Sequence, residues 1–370
     1  MDTLIDHLPA RAAKPARDTV AFPASQASPQ ATIKCVGVVG LGRMGEAFAA
    51  NLLTAGYRIV AFDRDQRRAQ ALQAKGAGAA TRLAEFATCD VVLTSLPDDA
   101  ALETVAFGRD GLIDILQPGA VHVSMSTISP ELSRRLACAH AAQGQDFVAA
   151  PVLGNPDLAQ AQRLFVMAGG APQAVARVQP VLAHLGQRVF VIGDDPGQAS
   201  LVKLAGNVMT AATLETMGEV IALLRKGGIN PRLAFDVFTG SLFDGKVHKT
   251  YGGKIVDERY DPPGMTAPLA VKDLRLALAE AEKLAVPMSV ASVVHDRLVA
   301  AVARGFGRLD WSALGLLAAV DAGLGDAGLG DAGLGDAGLG DAGLGDAGLG
   351  DAGLGDAGLG DAVPANQQRA

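Results

Sequence analysis

Val36-Gly37-Val38-Val39-Gly40-Leu41-Gly42-Arg43-Met44-Gly45 is the stretch on which the reading of this chain turns. The β-branched run from Ile33 to Val39 has the character of a buried strand. It breaks into a G-x-G-x-x-G turn on Gly40, Gly42 and Gly45. Gly40 permits the tight turn, Gly42 lets a pyrophosphate approach the backbone, and Gly45 lets the following helix lie close to the strand. The helix is expected over Glu46 to Ala55, ended by Gly56, with Phe48, Leu52 and Leu53 on its apolar face. Its positive dipole end and free N–H groups face the place where phosphates sit. A second strand, Arg58 to Phe62, ends in Asp63, eighteen residues after Gly45. That spacing suits a carboxylate that hydrogen-bonds a ribose hydroxyl. A Gly-rich turn alone is weak, but strand, turn, helix, strand and acid together form a dinucleotide fingerprint.

Outward from this unit the α/β alternation continues. Strands are expected at Asp90 to Pro97, Ala120 to Met125, Phe147 to Val152, Leu164 to Met167 and Arg188 to Ile192. Helical pieces are expected at Asp63 to Gln73, Leu83 to Thr88, Ala101 to Phe107 and Glu131 to Gly144, the last opening on Pro130. The pattern implies a doubly wound, mostly parallel sheet, whose ligands sit at the carboxyl ends of the strands. The loops at Leu96-Pro97, Ser126-Thr127 and Val152-Gly154 should therefore converge near the Gly40 turn.

From Gly197 the character changes to one long helix ending at Gly227-Gly228. Its wide apolar face includes Leu204, Val208, Met209, Ile221 and Leu224. Helices at Pro231 to Phe238, Ala267 to Leu284 and Val290 to Arg304 follow, with no strands evident. The expected organisation is an arm (1–31), a dinucleotide-binding domain (32–195), an all-helical domain (196–317) and a tail (318–370). Asp-Ala-Gly-Leu-Gly recurs eight times from Asp321. A period of five suits neither a helix face nor a strand face, and two glycines per repeat oppose ordering. The tail and the Ala/Pro/Ser/Arg-rich arm are both expected to be disordered. The calcium-binding β-roll needs a nonapeptide that this repeat lacks.

Composition narrows the function classes. The 370 residues are 49% hydrophobic, 19% charged and only 4% aromatic. Few aromatics argue against stacking platforms for nucleic acid. The net charge of −7 is more than accounted for by the nine aspartates from Asp321 to Asp361, so no strongly charged binding face is implied. Cys35, Cys89 and Cys138 show no paired spacing and read as buried small hydrophobes in a reducing compartment. The six histidines show no metal-ligand spacing, so no metal is expected. No apolar run is long enough for a membrane span and no signal-peptide pattern is present, which points to the cytoplasm.

Lys203 is the main candidate for chemistry. It stands on the long helix with Asn207 one turn on, on the same face. A lysine in an apolar stretch either snorkels to water or lines a cleft. In a cleft beside a cofactor its pKa can fall far enough for proton transfer near neutral pH.

These residues resemble the β-hydroxyacid dehydrogenase family, which includes 3-hydroxyisobutyrate dehydrogenases and tartronate semialdehyde reductases. The resemblance runs from Ile33 to about Leu317. It is carried by Gly40-Leu41-Gly42-Arg43-Met44-Gly45, Ser95-Leu96-Pro97-Asp98, Ser126-Thr127-Ile128-Ser129-Pro130, Ala150-Pro151-Val152, Gly197 to Asn207, and Lys272-Asp273-Leu274. It implies an NAD(P)-dependent oxidoreductase that moves a hydride between nicotinamide and a small hydroxy acid or semialdehyde. Lys203 would be the general acid/base and Asn207 would orient substrate. The cofactor would be held by Gly40 to Gly45, Asp63, Arg64, Leu96, Pro97, Thr127 and Lys272. Ser126, Leu153, Gly154 and Asn155 would meet the substrate. Asp63 favours NAD, while Arg64 keeps NADP as the alternative. A homodimer or homotetramer through the helical domain is expected. Leu153, Asn155 and Pro156 depart from the family's small-residue substrate loop, and Gly206 stands where a second Asn is usual. An imine reductase-like enzyme is a rival reading, opposed by Lys203. A non-catalytic cofactor-binding module is another, opposed by Lys203 and Asn207 together.

Overall fold

β1 (Cys35–Val39) is buried at every position, as a central strand must be. It runs into α1 (Arg43–Thr54), β2 (Arg58–Phe62), α2 (Gln66–Gln73) and β3 (Gly78–Ala79). Then come β4 (Val91–Thr94), α3 (Asp99–Phe107), α4 (Leu112–Ile115), β5 (Val121–Ser124), α5 (Pro130–Ala142) and β6 (Asp146–Ala149). The chain continues through β7 (Val152–Leu153), α6 (Pro156–Gln160), β8 (Leu164–Gly169), α7 (Pro172–Leu182) and β9 (Gly186–Gly193). These elements come from a computed structural model that describes residues 33–324. The expectations for the N-terminal arm and for nearly all of the five-residue repeats lie outside the described residues.

The strands form one sheet in the order β3-β2-β1-β4-β5-β6-β8-β7, with β9 paired to β8. β1 through β6 are mutually parallel, whereas β8 runs antiparallel to β6 and β7. The order reverses between β1 and β4, which opens a crevice at their carboxyl ends, where ligands of doubly wound sheets sit. Local sequence explains the helix starts. Asp65, Asp98 and Ser129 each accept a backbone N–H in the first turn of α2, α3 and α5. Phe48 and Leu52 of α1 pack on one face of the sheet, and Phe86 and Leu112 on the other.

The C-terminal part is all helical. α8 (Pro196–Lys226) is followed by α9 (Pro231–Thr239), α10 (Lys246–Val256), α11 (Ala267–Lys283), α12 (Ser289–Ala303) and α13 (Leu314–Asp321). Leu204, Ala211, Leu214 and Ile221 of α8 form the seam against this bundle. A Cβ on Gly218 would lie 2.8 Å from the Cα of Gly315, so the glycines let α8 and α13 touch. α13 runs past Leu317 to Asp321, the first residue of the repeats, which pairs with Arg297 and Arg304.

Three readings of the sequence are corrected here. Cys138 is exposed on α5, not buried, because α5 turns only Leu132, Ser133, Leu136 and His140 inward beyond its first residue. Met209 is 73% exposed, since the packed seam of α8 passes it by. The strand expected over Phe147 to Val152 is two pieces, β6 and β7, separated at Ala150-Pro151. Among the described residues no helix is long and apolar enough to cross a membrane, and no cluster of His, Cys, Asp and Glu is placed to hold a metal ion.

Candidate active site

Gly40 adopts a positive φ of 88°, and a Cβ there would collide with the Ser95 carbonyl. A Cβ on Gly45 would strike the Gly40 carbonyl, so the first turn of α1 can sit against β1 only with glycine there. Around Gly42 the space is open, with the Arg68 guanidinium 4.0 Å from a built Cβ as its nearest neighbour. No side chain caps α1, so its first N–H groups are left for an anion. This is the cradle that a dinucleotide pyrophosphate requires.

Asp63 ends β2 beside this turn. Its Oδ2 accepts the Leu41 N–H at 2.7 Å and its Oδ1 accepts the Asp65 N–H at 2.9 Å. Two of its roughly four lone-pair sites are thus used to brace the turn, and the others remain for hydroxyl donors. Arg64 is exposed beside it, and Arg68 lies 3.8 Å from Asp63 Oδ2. Leu41 is buried and Met44 half-buried against the core, while Arg43 reaches across to the Pro263 carbonyl.

The loops after β4 and β5 are tied together. The Ser126 hydroxyl accepts the Leu96 N–H at 2.8 Å and faces the Thr94 carbonyl at 3.4 Å. Pro97 follows, exposed on the rim. Ser126 is itself buried, and Thr127 next to it offers its carbonyl to the Lys272 ammonium from α11. Lys272 also lies 2.8 Å from Asp273 Oδ1. Asp273 Oδ2 accepts from the Asn207 amide, whose Oδ1 in turn accepts from Lys203 Nζ at 2.9 Å. A continuous polar path, Thr127-Lys272-Asp273-Asn207-Lys203, therefore joins the sheet's carboxyl edge to α8.

Lys203, Asn207 and Asp273 are all buried. Burial lowers the Lys203 pKa to about 8; the Asp273 carboxylate works against that fall and the Lys272 ammonium adds to it. Both ends of the Asn207 amide are engaged, so its position fixes Lys203. In this structure the Asn207 amide nitrogen is turned to Asp273 and its oxygen to Lys203. Asp273 was missed among the sequence candidates. Its only signal was adjacency to Lys272, and its partner Asn207 lies 66 residues away.

The loop expected to meet substrate carries the departures seen in the sequence. Asn155 turns its Oδ1 to the Leu158 N–H at 2.9 Å and caps α6, with Pro156 as the first helical residue. Leu153 lies against α8: a Cβ on Gly206 would be 3.1 Å from its Cδ2. Gly154 has φ of 146° and is exposed. So Leu153 faces the helix that carries Lys203, while Asn155 is occupied in its own loop.

Sheet, turn and polar path define an NAD(P)-dependent oxidoreductase. A family model described as the NAD binding domain of 6-phosphogluconate dehydrogenase matches residues 35–193. A second, described as NAD-binding of NADP-dependent 3-hydroxyisobutyrate dehydrogenase, matches residues 197–317. The chain is 36% identical to an uncharacterized oxidoreductase, YfjR, of Bacillus subtilis, over 75% of this chain and 98% of that one. It is also similar to the crystal structure of a 3-hydroxyisobutyrate dehydrogenase from Salmonella typhimurium (TM-score 0.70, 31% identity, 76% of this chain and 99% of that one). A reductive aminase from Aspergillus terreus aligns less closely, at a TM-score of 0.51 and 25% identity over 76% of this chain and 98% of that one. The chain belongs to the β-hydroxyacid dehydrogenase family.

Proposed function

We propose that this chain reduces or oxidises a hydroxy acid/semialdehyde pair, with Lys203 as general acid/base. The observation that carries this reading is a buried lysine, held by Asn207 and Asp273, on the polar path that starts at the sheet's carboxyl edge. The nicotinamide supplies or accepts the hydride when bound. Charge then develops on the substrate oxygen, and Lys203 Nζ gives it a proton in reduction or takes one in oxidation. Ser126 and the open space at Gly42 lie on the sheet side, where Gly40 to Gly45, Asp63 and Thr127 would bind the cofactor. Asn207 acts as a positioning residue, keeping the ammonium in place.

Lys203→Ala tests this. Turnover should fall about 10² to 10⁴-fold, the usual contribution of a positioned acid/base, while cofactor affinity stays nearly unchanged. Lys203→Arg should rescue little, because a guanidinium does not release its proton near neutral pH. A mutant keeping more than about a tenth of wild-type turnover removes Lys203 from this role. No turnover by the unmodified protein on any of a panel of carbonyl acids would favour a cofactor-binding module.

The substrate is inferred to be bulkier or less acidic than a compact 3-hydroxy acid. Leu153 puts a branched apolar side chain over Gly206, and Asn155 spends its amide on the α6 cap. Rapid turnover of 3-hydroxyisobutyrate by the unmodified protein would contradict this. A homo-oligomer through the helical part is supported by Met209, Leu223, Leu233 and Leu242, all more than half exposed. Sedimentation at a single monomer mass across micromolar concentrations would refute it.

A further inference from the structure

Cys35 opens β1 and Cys89 immediately precedes Asp90 and β4. The strands are parallel neighbours, so residues 54 apart in sequence meet at the amino rim of the sheet. Their sulfurs stand 3.3 Å apart. Both side chains are buried in the cluster that holds Phe86, Val92 and Leu112. Any two small apolar side chains would fill that space. Packing alone does not account for sulfur against sulfur in a pair whose backbone is also pinned. Asp90 Oδ2 accepts the N–H groups of Lys34 and Cys35, at 2.8 and 3.0 Å, and the Cys89 N–H donates to the Phe86 carbonyl.

We propose that Cys35 and Cys89 form a peroxide-reactive dithiol that closes reversibly to an intramolecular disulfide. Closing to a bond of about 2.0 Å requires the sulfurs to move together by little more than 1 Å. The pair is also asymmetric. A hydrogen bond from Cys89 lowers the Cys35 thiol to about 7, assisted by Arg58, while burial and Asp90 oppose the shift. The same contact, with burial, pushes the Cys89 thiol up. Cys35 is thus the more readily ionised of the two and Cys89 its hydrogen-bonding partner. Arg58 stands opposite Cys35 in the β1–β2 register, and both Arg58 and Lys34 are exposed, while the two cysteines beneath them are buried, so a small oxidant reaches the pair through local opening of this rim.

The chemistry balances with one hydroperoxide. Cys35 thiolate attacks a peroxide oxygen, the O–O bond breaks to leave a Cys35 sulfenic acid, and the departing hydroxide takes up from solvent the proton that Cys35 had released and leaves as water. Cys89 sulfur then attacks the Cys35 sulfenic sulfur, the S–O bond breaks, and the Cys89 proton leaves with that oxygen as a second water. Two thiols are oxidised and one peroxide is reduced. The bond would tie β1 to β4 at their amino ends. The nucleotide turn lies at the opposite ends of these strands, so turnover should persist in the oxidised form.

Full-length Cys138→Ser protein, which lacks the exposed thiol, is treated with hydrogen peroxide in the presence of NAD. Remaining thiols are alkylated in denaturant and peptides are mapped without reductant. The expected result is one cross-linked peptide joining Cys35 to Cys89 within a chain, released by dithiothreitol. A rise of a few degrees in Tm should accompany it, because the bond closes a long loop in the unfolded chain. Full alkylation of both cysteines after peroxide, their conversion to sulfinic acids without a cross-link, or cross-links only between chains would overturn the proposal. A second variant, Cys89→Ser with Cys138→Ser, should show no peroxide-dependent rise in Tm. A rise of the same size there would also overturn it.

Discussion

Stability should fall as the medium is acidified from pH 7.5 to 5.5, because the fold keeps two imidazoles neutral. His122 on β5 and His140 on α5 are both buried. Gln145 donates to the carbonyls of Ile113 and Leu116, which turns its Oε1 towards His140 Nδ1 at 2.6 Å. His140 Nδ1 therefore carries a proton and its Nε2 is bare. His122 Nδ1 donates to that Nε2 at 2.8 Å, and the Thr94 hydroxyl donates to His122 Nε2 at 3.0 Å. A first added proton would have to reverse the Thr94 hydroxyl, and a second would set N–H against N–H. Burial lowers both pKa values, that of His122 well below the ordinary histidine range, with His140 adding to the effect. The sign follows from linkage. Below about pH 6.5 the unfolded chain takes up protons that the native state refuses, so stability drops as pH falls, by up to ~1.4 kcal/mol per pH unit for each histidine. For the pair, the loss between pH 7.5 and 5.5 is up to roughly 3 kcal/mol, a large share of an ordinary domain's total. Urea denaturation at several pH values reads this directly, and ordinary carboxylates stay ionised throughout that window. The Cys35 thiol, lowered to about 7, adds to the slope in the same direction, so in a Cys35→Ser background His122→Asn should remove about half of what remains, since one of the two buried imidazoles is gone. Equal stability at pH 5.5 and 7.5 in the unmodified protein would refute the reasoning.

Reduction should be flat with pH below about 8 and fall above it as Lys203 loses its proton, whereas oxidation should rise towards that value; identical profiles in both directions would contradict the assignment. NAD should be used with higher kcat/KM than NADP, because a 2′-phosphate would meet the Asp63 carboxylate, and Asp63→Ala should narrow the ratio. A clear NADP preference in the unmodified protein would show that Arg64 and Arg68 outweigh it. Truncation after Gly325 should leave Tm and turnover unchanged, while truncation before Asp321 should lower Tm by removing the partner of Arg297 and Arg304; equal melting of the two truncations would sink this.

What was legible in the sequence was local. The Gly40–Gly45 turn declares itself because three glycines answer three steric demands within six residues. Lys203 and Asn207 were found because four residues on a helix is one turn. Asp273 was not, since its partner is supplied by a different helix and nothing near it in sequence announces the contact. Besides the short α4, α6 and α13, two longer helices went unread for identifiable reasons. α7 carries Pro180 in its interior, which breaks the expected pattern. α10 contains Gly252 and Gly253, poor helix formers, and Gly252 packs under the ends of the Met217 and Phe235 side chains, which a Cβ there would have to displace. Periodicity also counted Met209 as core, because a window of apolar residues does not reveal which part of a 31-residue helix will be covered.

The poise of Lys203 depends on which of two neighbours is nearer in effect. Burial alone would drive the ammonium towards its neutral form and leave it a poor acid. Asp273 restrains that fall, and it does so while hydrogen-bonded to Asn207, the residue that holds Lys203. Lys272 works in the other direction, but its charge is shared between the Thr127 carbonyl and Asp273 Oδ1. The three groups therefore act as one adjustable set, with α11 supplying both the opposing charges. Lys272 is also bonded to the loop that carries Ser126 and Thr127. A movement of that loop would change how strongly Lys272 is engaged, and with it the balance of charge at Lys203. The Thr127 loop and the ammonium on α8 are in this way joined through two adjacent side chains of a single helix.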